Sequence, residues 1–155
     1  MSISDLLPFI MIEADNSTDR SQPASDYVAD RINSIHCAFS GAYEASKRFS
    51  GTEYDLMASE AYYHALHLLA FFGISDDKAS PNFLNGLINI SEIVAKYHSQ
   101  TSKAYEAFLQ DDQSTFLHEL FALTTGIEQI AERRDFDLDF VIKDKIGNKR
   151  VRIVD

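Results

Sequence analysis

The sequence predicts an all-α protein, an antiparallel helical bundle built from two tandem helical hairpins plus short terminal helices. Three observations carry that expectation. Apolar residues recur at threes and fours along four long stretches, the spacing of one buried helix face. The links between those stretches are short, which favours antiparallel neighbours, and strand signals are almost absent. The segment HCAFSGAYEAS, beginning at His36, is echoed by HSQTSKAYEAF, beginning at His98. A helix-turn-helix unit stated twice is the simplest source of such an echo.

Taken in order, Ser4 to Glu13 reads as a short helix with Pro8 near its first turn. The polar run ADNSTDRSQPAS follows as a linker, so residues 1–25 form an N-terminal segment outside the repeats. A helix over 26–49 carries Val28, Ile32, Ile35, Phe39 and Tyr43, and SGTE breaks it. A second runs over 54–72 and stops at Gly73, the residue best able to turn left-handed at a helix end. These two make a first hairpin over 26–77. Ser80 and Pro81 signal the cap and first turn of a third helix running to about Leu109, with Leu84, Leu87, Ile88, Ile93 and Val94 on its apolar side. DDQS closes it, and a fourth helix covers 116–134. A shorter fifth follows in DFDLDFVIKDKI, and the second hairpin with its basic tail spans 80–155.

A chain of 155 residues is one domain's worth and long enough to bury its own core. Cys37 is the only cysteine, which removes an internal disulfide and a thiolate zinc site and suits a reducing compartment. Net charge is -10, which argues against nucleic acid as a partner. No apolar run reaches a bilayer span, and the opening MSISDLLPFIMIEAD carries an acidic residue where a signal peptide needs a basic one. The expectation is a cytoplasmic protein without membrane contact. Lys143, Lys145, Lys149, Arg150 and Arg152 cluster near the C-terminus, as a phosphate-facing tail or a solvated end.

The repeat has a fixed offset. His36, Ser40, Ala42, Tyr43, Glu44 and Ala45 match His98, Ser102, Ala104, Tyr105, Glu106 and Ala107, each pair 62 positions apart (98 minus 36). Allowing one residue of slippage at AFFGISDD and ERRDFDLD, each half is a long helix, a tight turn, a helix and an acidic link.

HSQTSKAYEAF, followed by FLHELFALTTGIEQIAERRDFDLDFVIKDKIGNKRVR, resembles the MazG-type all-α nucleoside triphosphate pyrophosphohydrolases, over about Ser91 to Arg152. A fainter copy covers about Ser34 to Asp77. The resemblance implies Mg²⁺-dependent cleavage of a nucleoside triphosphate to monophosphate and pyrophosphate. It also implies carboxylate pairs, Glu-x-x-Glu on one helix and Glu-x-x-Asp on the next. Carried onto this chain, those positions are Ala38 and Gly41, then Met57 and Glu60, in the first copy. In the second they are Gln100 and Lys103, then Glu119 and Ala122. Glu60 and Glu119 are the surviving candidate Mg²⁺ ligands, and magnesium requires hard oxygen donors around an octahedron. Gln100, Lys103, Lys145, Asn148 and Arg150 are the candidate contacts to nucleotide or phosphate.

Helix geometry adds two readings. Ala38, Gly41, Ala42 and Ala45 share one face, a surface for close helix approach that offers no ligand atoms. In SEAYYHALHLLAFF, Glu60, His64 and His67 fall on one stripe. That stripe reads as a partial shell for a transition metal, as a nucleotide-facing patch, or as the wet side of the helix. Three functions stand at this point: a MazG-like nucleotide-binding protein with weak or lost hydrolysis, a silent scaffold for a protein partner or a second copy of itself, and a metal-binding bundle.

Overall fold

A computed structural model describes the backbone of residues 23–72 and 89–154, and side chains as far as residue 146. Among the described residues the chain is all-α and contains no strand. The helices are α1 (Ala24–Lys47), α2 (Gly51–Phe71), α3 (Ile90–Leu109), α4 (Gln113–Arg133) and α5 (Leu138–Val154). α1 packs on α2 and α3 on α4, giving two hairpins. The hairpins meet through α1 with α3 and α2 with α4, and α5 lies against α2.

The two hairpins turn in the same way. Phe49 and Asp111, 62 positions apart, both adopt left-handed backbone, with φ of 56° and 58°. One residue later, the Ser50 N–H donates to Ala45 O and the Asp112 N–H to Ala107 O, each at 2.9 Å. These are Schellman turns, which satisfy the last carbonyls of α1 and α3. Ser50 and Asp112 then cap the next helix, their side chains accepting from the N–H groups of Glu53 and Thr115. α2 and α4 start and end at the same offset, so the duplication holds without the slippage expected from sequence.

The hairpins pack about an internal two-fold. Arg134, just after α4, bonds Asp55 near the start of α2 and lies 5.2 Å from the centre of the Tyr54 ring. In the equivalent place, Phe72, just after α2, sets its ring 5.2 Å from that of Phe116 near the start of α4. Subtracting 62 from Arg134 and Phe116 gives Phe72 and Tyr54, so one slot is filled twice by different chemistry. α2 and α4 are therefore antiparallel.

The core follows from this arrangement. α2 is enclosed by α1, α4 and α5, which is why Ala61 to Leu69 are buried with the single exception of half-buried His64. Ile32, Ile35 and Phe39 of α1 meet Val94 and Tyr97 of α3 in the same core, with Phe116, Leu120 and Leu123 from α4. Leu138, Ile142 and Ile146, one every fourth residue, form the buried stripe of α5.

Several boundaries differ from expectation. α2 begins at Gly51 rather than near residue 54, because Ser50 caps it and the Arg134 guanidinium lies over Gly51, where a β-carbon would come within 2.7 Å of Nη2. α3 begins at Ile90, its first turn capped by the Asn89 side chain. α5 continues through Gly147 to Val154 and is longer than DFDLDFVIKDKI. The expected helix over Ser4 to Glu13, the Gly73 stop and the start at Ser80 and Pro81 lie outside the described residues.

Phe49 combines a left-handed backbone with a side chain 95% exposed, whereas its counterpart Asp111 belongs to the residue types that tolerate this conformation. Left-handed geometry costs a residue with a β-carbon about 1–2 kcal/mol, so Phe49→Gly is expected to raise the urea midpoint, by up to about 1 kcal/mol of stability. A fall would show that the exposed ring contributes to the fold.

Candidate functional site

The polar cluster at the junction of α1, α2 and α5 contains three of the residues singled out from sequence. α2 presents Glu60 and His64 one turn apart. The α5 stripe places Lys145 beside Ile142 and Ile146, so its ammonium reaches back to α2. There Lys145 Nζ pairs with Glu60 Oε1 and sits 4.7 Å above the Tyr63 ring. From α1, Arg31 Nη1 lies 2.8 Å from His64 Nδ1. A guanidinium only donates, so Nδ1 is the acceptor and the imidazole carries its proton on Nε2. That Nε2 faces Glu60 Oε2 at 3.7 Å. Arg31, His64, Glu60 and Lys145 thus form a half-buried polar cluster, hydrogen-bonded at its two ends, with His64 and Glu60 in longer electrostatic contact between them.

His67 is set apart by its burial. It is fully buried, with its ring 4.6 Å from Tyr63 in an edge-on contact, so the stripe of Glu60, His64 and His67 is not a wet helix face. Among the described residues, no three His, Cys, Asp or Glu side chains are grouped as a metal ion requires.

The positions that the resemblance assigns to carboxylates face one another across each hairpin. In the first, a β-carbon at Gly41 would stand 2.8 Å from Met57 Sδ, so the thioether fills the space that glycine leaves. In the second, Gln100 Nε2 donates to Glu119 Oε2, with Gln100 buried. Lys103, one turn along α3, is exposed. Glu60 and Glu119 therefore have different partners on different hairpins. Asn148 and Arg150 lie in α5, with side chains outside the described residues.

Arg31 and Tyr63 were not anticipated as members of the cluster. No local spacing links Arg31 to His64, 33 residues away, and only the α1–α2 hairpin brings them together. No family model, curated protein or solved structure matches this chain. No helix among the described residues is long and apolar enough to cross a membrane.

Proposed function

We propose that this chain is a MazG-like tandem-hairpin protein that binds nucleoside triphosphate without assembling a magnesium centre of its own. The observation that supports this reading is the filling of the facing motif positions, by Gly41 against Met57 in one hairpin and by Gln100 bonded to Glu119 in the other. Neither pair offers the several oxygens that Mg²⁺ requires. A triphosphate brings its own charge and its own metal. Arg31 and Lys145 meet it at the α1–α2–α5 junction, where it competes with Glu60 for the Lys145 ammonium.

The test turns on the sign of one substitution. If Glu60 competes with phosphate, Glu60→Gln raises triphosphate affinity several-fold and Lys145→Ala lowers it, in calorimetry with a panel of ribo- and deoxyribonucleoside triphosphates. If Glu60 is instead a magnesium ligand, Glu60→Gln weakens binding, and tight Mg²⁺ binding appears without nucleotide. Steady release of pyrophosphate would also overturn the silent reading. A second reading, a scaffold for a protein partner or another copy of the chain, is favoured by Phe49, Leu109 and Phe140, which expose large apolar side chains. The transition-metal reading receives less support, because no three such ligands are grouped among the described residues and Arg31 occupies His64 Nδ1.

A further inference from the structure

The two hairpins meet on their internal two-fold at one histidine from each. His36 Nδ1 and His98 Nδ1 are 2.7 Å apart, the ring planes differ by 8°, and the ring centres are 5.0 Å apart. That centre-to-centre distance is the nitrogen separation plus roughly one radius of each ring. The rings therefore lie edge to edge in nearly one plane, with the Nδ1 atoms aimed at each other. A metal ion has no room between them. One Nδ1 carries a hydrogen and the other presents its lone pair.

The surroundings leave this pair to itself. The Phe39 ring stands edge-on to His98 and stacks on Tyr97. Charged and titratable groups on the packed elements have other partners: from α2, His64 is held by Arg31 of α1 and Tyr62 donates to Glu128. From α4, Glu119 accepts from Gln100. The other such groups near the two rings in sequence are Asp30, Cys37, Tyr43 and Glu44 on α1 and Glu92, Lys96, Tyr97, Lys103, Tyr105 and Glu106 on α3. Burial lowers the proton affinity of both imidazoles, and His36 lowers that of His98 further.

We propose that the His36–His98 pair is a two-proton latch between the hairpins, in which one added proton preserves the bond and a second breaks it, weakening the α1–α3 contact in acid. The first proton goes to the outer Nε2 of the donor ring and leaves a charge-assisted Nδ1–H⁺···Nδ1 bond. The acceptor ring already carries hydrogen on its Nε2. A second proton therefore has only the bonded lone pair to take, and it sets two N–H groups of like charge against each other.

The direction of the pH effect follows from linkage. Both groups bind protons less readily in the fold than at their ordinary value of 6.5, so the unfolded chain takes up more protons below that value. Their contribution to stability is full above about 6.5 and is lost as pH falls through the lowered folded values.

The experiment compares urea unfolding of the full chain with that of His36→Phe/His98→Phe at about pH 7.5 and pH 5. The other three histidines are common to both proteins, so the difference isolates the pair. The unfolding constant of the wild type is expected to rise on the order of tenfold more than that of the variant. An equal loss in both overturns the latch. Should the variant fail to fold, nitrogen-detected NMR of the wild-type imidazoles decides: coupled titration below about 6.5 supports it, and two independent titrations at or above that value refute it.

Discussion

Truncating Phe116 to alanine is expected to lower the unfolding free energy by about 3–5 kcal/mol, read as a fall in urea midpoint at unchanged slope. Phe116 is fully buried, and its ring is enclosed by Phe72 at the end of α2 and Phe108 at the end of α3. It therefore touches both hairpins at once, and its loss opens a cavity that neither can close alone. The symmetry-related Tyr54 offers a control. Its hydroxyl is buried without a hydrogen-bond partner among the described residues, and burial pushes the phenol up to about 12. Tyr54→Phe removes only that buried oxygen and is expected to be neutral or stabilising, because an unpaired buried polar group costs about 1–3 kcal/mol. A loss below about 1 kcal/mol for Phe116→Ala would mean that the hairpins do not depend on this slot.

The all-α architecture and the tandem hairpins were legible because they rest on local chemistry. Helical periodicity of Val28, Ile32, Ile35 and Phe39 is visible in a short window, and the echo at His36 and His98 fixes the offset at which the turns repeat. The turn residues themselves were less transparent. Phe49 is a poor left-handed residue, and only the geometry it shares with Asp111 shows that the turn overrides its preference. Gly51 read as a breaker because its close neighbour, Arg134, is 83 residues away. The polar cluster was half legible for the same reason. Glu60 and His64 fall on one helix face, but Lys145 and Arg31 reach them only through tertiary packing. The repeat marks His36 and His98 as equivalent positions, whereas their bonding to each other required the two-fold. Ser40 and Ser102, the matched serines four residues further on, are exposed.

The Gln100–Glu119 pair is expected to behave as a structural contact whose halves are worth different amounts. Glu119→Leu strands a carboxamide that is only 7% exposed, so the desolvation penalty is close to full, about 1–3 kcal/mol. Gln100→Leu leaves a carboxylate that is only half-buried and can be rehydrated, so its cost is expected to be smaller. Replacing both partners by leucine removes the polar groups together and is expected to recover most of the loss, with a coupling of about 0.5–3 kcal/mol in a double-mutant cycle. A ligand site would give a different pattern. If Glu119 serves a metal or a nucleotide rather than Gln100, Glu119→Leu spares stability while removing ligand-dependent stabilisation. The double variant then recovers nothing. Running the cycle with and without triphosphate and Mg²⁺ separates the two, because a ligand bound only to the folded state adds stability through mass action in the proteins that retain the site.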